Sequence, residues 1–215
     1  MKMKRMIIIG DLAIVVMVLY AWLSMFFGAD KGNLLSSRGV EALKYFTVDS
    51  NLLMGLASFV SLIAGFSGKA GLPVRLLKYV ATVAVSLTFL TVFAVFVPML
   101  GVASMIQGSN LFFHLIVPLL AVVMFLVGRG AAGIRFGGTF LAVVPAVVYG
   151  LFYAGNILIN GRSNETDWYG FARWGTKMYL PALLLTMAVT WLIAVILWLA
   201  GGGRKKTDTG SIRDD

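Results

Sequence analysis

The sequence predicts an all-α polytopic membrane protein, a bundle of six transmembrane helices with both termini in the cytoplasm. Three observations predict it. Of 215 residues, 60% are hydrophobic and only 13% charged, with a mean hydropathy of +0.91; a water-facing surface needs about 25% charged residues. The apolar residues fall into six helix-length runs, and about 20 residues at 1.5 Å rise cross about 30 Å of hydrocarbon. Lysine and arginine crowd into alternate connections, as the positive-inside rule requires.

The first run, Met6–Phe27, follows Lys2, Lys4 and Arg5. A leader peptide starts the same way, but this stretch is long and ends in bulky Phe27, so it reads as an uncleaved helix. Asp11, near its cytoplasmic end, is expected to pair with Arg5 or Lys78; a proton relay is the sharper alternative. The second run is Thr47–Phe66 and the third Tyr79–Met99, with Pro98 close to its end. The fourth, Leu111–Gly128, carries His114 and Pro118. The fifth, Thr139–Ile159, carries Pro145, Tyr153 and Asn156. The sixth is Tyr179–Ala200. No run alternates with period two, which argues against a β-barrel. In lipid a helix satisfies its own backbone, so residues 1–203 read as one membrane domain. Residues 204–215 read as a polar, disordered cytoplasmic tail. Trp168, Tyr169 and Trp174 fit an interfacial aromatic belt.

Twelve Lys and Arg residues fall on the side of the termini and six on the other. The net charge of +9 is thereby explained by topology. The basic residues flank spans and do not interleave with aromatics, so nucleic acid is not an expected partner; membrane lipids are. The chain has no cysteine and a single histidine. That removes disulfides, thiolate sites and multi-histidine metal clusters. No cofactor is expected, and a haem would have only one-sided histidine ligation. Short connections and the lack of a sorting signal suit a bacterial inner membrane.

Polar residues inside spans carry the functional information, because each costs free energy unless paired or used. In Tyr45–Phe46–Thr47–Val48–Asp49–Ser50–Asn51, residues Thr47, Ser50 and Asn51 share a helix face and Asp49 points elsewhere. Thr, Ser, Asp and Asn also favour helix starts, so a capping cluster is the plain alternative. In the fourth span Asn110, His114 and Pro118 recur every four residues and share a face. Proline has no N–H, so in a continuing helix the His114 carbonyl loses its usual partner. His114 could equally be structural, bonded to a neighbouring helix. Spans two and four both begin on the non-cytoplasmic side, which puts Thr47 and His114 at one depth. A hydroxyl and an imidazole at one level are the minimum for nucleophilic catalysis. Asn110 or Asn156 could orient the ring, and Ser50, Asn51 or Tyr153 could donate to an oxyanion.

The segments Lys44–Asn51 and Asn110–Pro118 resemble the androgen-induced type of multipass membrane proteins. That family includes threonine hydrolases acting on fatty-acid esters of hydroxy fatty acids. The resemblance covers span count, topology and these two motifs. It implies a six-helix membrane fold, a threonine nucleophile matched by Thr47, an essential histidine matched by His114, and a lipophilic ester as substrate. The leading expectation is therefore a membrane-embedded hydrolase of lipid esters. Two alternatives stand beside it: a small transporter or channel, whose spans Pro98, Pro118 and Pro145 would break, and a non-catalytic protein that binds a lipid or a partner.

Overall fold

The computed structural model describes residues 2–28, 39–67, 71–171 and 175–203. The tail 204–215 and Trp174 lie outside the described residues. Among those described there is no strand, and six helices are long and apolar enough to cross a membrane. They are α1 (Lys2–Phe26), α2 (Phe46–Phe66), α3 (Leu72–Leu100), α4 (Ser109–Val127), α5 (Gly138–Asn160) and α6 (Tyr179–Ala200). All six agree with the expected spans within a few residues except at the start of α3. That helix begins seven residues before Tyr79, so Arg75 and Lys78 are helical and do not belong to the connection. The physical reason is pairing. Lys78 Nζ bonds the Asp11 carboxylate of α1 and lies 3.0 Å from Ser58 Oγ of α2. A neutralised cation can stay at membrane depth, and Pro73 in the first turn suits a helix start.

Two apolar clusters organise the bundle. The first joins Ile14 and Val18 of α1, Met54 and Ala57 of α2, Val85 of α3 and Phe113 and Val117 of α4. The second joins Tyr79 and Val83 of α3 to Phe125 of α4, Ala142 of α5 and Ala194 and Leu197 of α6. Thus α1 to α4 form a four-helix core, and α5 and α6 lean on it through α3. Small residues allow close approach, as is usual between membrane helices. A Cβ on Gly55 of α2 would stand 2.9 Å from Val18 Cγ1 of α1. The outward faces keep residues such as Ile9, Val16, Phe59, Val148 and Leu184 exposed, as a lipid-facing surface requires.

Two helices share an irregularity. In α3 the turn Val92–Phe96 is a π-helix and precedes Val97–Pro98. In α4 the turn Phe112–Ile116 is a π-helix and precedes Val117–Pro118. The Val117 N–H donates to the Phe112 carbonyl, five residues back. In that register proline's missing donor orphans the Phe113 carbonyl, and not that of His114 as a regular helix would. Between the two helices the chain turns through Gly101 and Gly108, at φ of +83° and +55°, a region that favours glycine. These two residues bracket the short helical turn Val102–Met105.

Candidate active site

The site lies at the end of the bundle away from the termini. It starts from the first turn of α2. Tyr45 precedes this helix without a side-chain cap. The orphan N–H of Phe46 donates instead to the hydroxyl of Tyr169, at 2.9 Å, from a connection 123 residues on. The capping alternative for Thr47, Asp49, Ser50 and Asn51 is therefore replaced by a tyrosine supplied from a loop. That loop is held by its own bonds: Thr166 Oγ1 donates to the Gly161 carbonyl at 2.7 Å, and the Asp167 N–H donates to the Ser163 carbonyl at 2.8 Å. Trp168 and Tyr169, expected in an interfacial belt, turn into the bundle. The Trp168 indole donates to the Tyr149 hydroxyl at 3.0 Å, and the Tyr169 ring stands 5.9 Å from both Tyr153 and Phe96. Burial pushes the Tyr169 phenol above its ordinary value, so it remains a neutral hydroxyl.

Thr47 and His114 line one small cavity of about 20 Å³, together with Tyr45, Phe96, Asn110 and Tyr169. A space above about 10–15 Å³ holds a water, so one water could bridge the two side chains. They make no direct hydrogen bond. His114 is 4% exposed. Its Nδ1 lies 2.6 Å from the Met105 carbonyl. A carbonyl only accepts, so Nδ1 carries the proton and Nε2 is left as the basic nitrogen. The orienting role expected of Asn110 or Asn156 thus falls to the Met105 backbone. Asn110 still belongs to the site: it lines the small cavity, and its Nδ2 is buried without a hydrogen-bond partner. Asn156 is elsewhere, donating to the Thr166 carbonyl at 3.2 Å.

The other expected residues support the site from outside. Asn51 Nδ2 donates to the carbonyls of Thr47, at 2.7 Å, and Phe113, at 3.0 Å. It thereby fills the acceptor that Pro118 leaves open. Ser50 Oγ joins the Thr47 carbonyl, at 3.1 Å, to Thr88 Oγ1 of α3, at 2.8 Å. Tyr153 donates to Asp167 and accepts from the Tyr169 N–H at 3.2 Å, which commits its proton. None of the three lines the small cavity, which removes them as oxyanion donors there. Asp49 lines neither this cavity nor the next.

A second cavity of about 330 Å³ lies between α3, α5 and α6. Its wall is almost entirely apolar, and Leu90, Val95 and Leu185 on its flank are exposed on the lipid-facing surface. Thr47, Val92, Phe96 and Tyr169 line both cavities. They form the partition between the imidazole and a space open to the side. Sequence reasoning missed Met105 and Tyr169. The aromatic cluster Trp168–Tyr169–Gly170–Phe171 was a signal for the latter; a backbone carbonyl leaves none. Among the described residues no group of three His, Asp or Glu side chains could hold a metal ion. No family model, curated protein or solved structure matches the chain.

Proposed function

We propose that the protein is a membrane-embedded hydrolase of lipid esters, with Thr47 as nucleophile and His114 as base. The observation that carries this reading is that Thr47 lies in the walls of both cavities. One holds the imidazole, and the other is apolar and open toward lipid. The acyl chain of an ester lies in the larger cavity, with its carbonyl at the partition. His114 Nε2 removes the Thr47 proton as Oγ1 attacks the carbonyl carbon. The Met105 carbonyl holds the ring in the required tautomer. The free Asn110 Nδ2 donates to the oxyanion. The protonated ring then passes its proton to the leaving alkoxide, and the alcohol departs. A water, deprotonated by the same nitrogen, hydrolyses the acyl-threonine and releases the fatty acid.

Membership of the androgen-induced type of membrane protein belongs to the same proposal, as does a fatty-acid ester as lipophilic substrate. The lysine and arginine bias supports cytoplasmic termini. The site then faces the opposite side, in keeping with a bacterial inner membrane. A second reading, a non-catalytic lipid-binding protein, is favoured by one observation: Thr47 and the His114 ring make no direct hydrogen bond.

The test uses the full chain reconstituted in vesicles with fluorogenic fatty-acid esters. Thr47→Ala and His114→Ala are each expected to lower the rate by about 10²-fold or more, and Thr47→Ser to retain part of it. Wild-type hydrolysis by Thr47→Ala would end the hydrolase reading and leave the lipid binder.

A further inference from the structure

We infer that the cavity between α3, α5 and α6 is a ruler for one saturated acyl chain of medium length, close to dodecanoyl, held with its carboxyl end at Thr47. The inference rests on the proposed hydrolase only for what happens at that end. The polarity of the cavity sets the direction of its occupant. At the far end from the termini it is lined by Thr47, beside Tyr149, Tyr153, Tyr169 and Tyr179, whose hydroxyls are bonded to Lys44, Asp167, Phe46 and Gly150. Toward mid-membrane it is lined by Leu87, Ala146 and Val189. Of the three threonines further along the wall, Thr88 is bonded to Ser50 at 2.8 Å and Thr186 to the Ala182 carbonyl at 2.9 Å; the third is Thr91. An amphiphile with its polar end at Thr47 and its tail inward satisfies this gradient; the reverse leaves a polar group against aliphatic walls.

Length follows from the helices. The lining runs on α6 from Tyr179 to Val189, a rise of about 15 Å at 1.5 Å per residue. A fully extended chain advances roughly 1.2 Å per bond, a third of the 3.3–3.6 Å of an extended residue, so about twelve bonds span the slot. The cavity volume of about 330 Å³ leaves room for a chain of this length. The slot also has a floor. Below it Val83, Ala142 and Ala194 of the three helices are 0–1% exposed and pack against one another in the second cluster. Interiors this dense do not open for an added methylene without strain. Entry is from the side, past exposed Leu90, Val95 and Leu185.

The position that tests the ruler is Val189, half-buried at the deep end. Two measurements are made on the full chain in detergent. One is hydrolysis of a series of esters from butyrate to stearate. The other is displacement of a fluorescent fatty acid from the Thr47→Ala protein by the same series of free acids. Both should peak near dodecanoate. Affinity and rate should fall about tenfold or more toward stearate, since a pocket that lacks room for methylenes discriminates on that scale. Val189→Phe should move both optima toward octanoate, and Val189→Ala should move them toward myristate. Opposite shifts at one position cannot come from misfolding or from uneven partitioning into detergent. If no ester is hydrolysed but dodecanoate displaces best and the optimum follows Val189, the hydrolase falls and the ruler stands. A flat displacement profile, or an optimum that neither Val189 variant moves, overturns the ruler whether or not esters are cleaved.

Discussion

The Asn51→Ala substitution tests how the bundle holds the histidine turn. Asn51 uses both amide protons, one on the Thr47 carbonyl and one on the Phe113 carbonyl. Their loss is unequal in effect. The Thr47 carbonyl keeps the Ser50 hydroxyl at 3.1 Å. The Phe113 carbonyl keeps nothing, because in the π register its helical donor would be residue 118, a proline. A buried acceptor without a partner costs about 1–3 kcal/mol, and hydrogen bonds between membrane helices average about 0.6 kcal/mol. Asn51 Oδ1 is itself buried without a partner, so its removal returns part of the loss. A net destabilisation of about 1–2 kcal/mol is expected, or a fall in midpoint of roughly 2–8 °C for a chain of this size. The decisive variant is Pro118→Ala in the Asn51→Ala background. It restores an N–H aimed five residues back at the Phe113 carbonyl and should recover at least half of the loss. Thermal unfolding in detergent of the wild type, both single variants and the double variant completes the cycle. Additive effects, with no recovery, would refute the claim that Asn51 stands in for the donor proline lacks.

Further outcomes follow from the same geometry. Lys78→Met leaves the Asp11 carboxylate unpaired inside the bundle and should destabilise it by about 3–5 kcal/mol; adding Asp11→Leu should restore most of this in the same unfolding assay. The hydrolysis rate should fall as pH is lowered through the titration of His114, because only the neutral ring accepts the Thr47 proton; a rate flat to strongly acidic pH would remove His114 from that role. Tyr169→Phe removes the acceptor of the Phe46 N–H and should cost about 1 kcal/mol. Burial raises the Tyr169 phenol, so above about pH 10 the unfolded chain loses this proton while the folded chain keeps it, and stability falls as pH rises further. Absorbance titration should then show one late-ionising tyrosine fewer in Tyr169→Phe.

The spans were legible because lipid imposes one rule on every residue of a segment, so a composition window is enough to find them. The exception at α3 is instructive. A window sees Arg75 and Lys78 as the end of hydrophobicity, whereas Lys78 is paired with Asp11, which sits on another helix and 67 positions earlier. Thr47 and His114 were legible as a pair because depth can be counted from the start of each span. What each side chain bonds was not, because that depends on helix rotation. Ser50 and Asn51 share a face with Thr47, yet they serve carbonyls and a neighbouring hydroxyl and do not reach the cavity. The imidazole's partner is a main-chain carbonyl, which any residue at position 105 supplies, so no sequence pattern can mark it.

The two prolines show how sequence and site connect. Val97–Pro98 and Val117–Pro118 each follow a five-residue π-helical turn, and residues of both turns line the small cavity: Val92 and Phe96 from α3, His114 from α4. A proline in a continuing helix cannot donate and crowds the preceding turn, and a widened turn relieves that crowding by adding a residue to the loop of each hydrogen bond. The added residue rotates what precedes it. In α4 it leaves the Phe113 carbonyl to Asn51 and His114 on the face of the small cavity. In α3 it sets Val92 and Phe96 in the partition that separates the imidazole from the acyl-sized space. Polar room inside a lipid-embedded bundle is thus made by local departures from the α-helix at two positions, each paired with a donor or a packed ring from another helix.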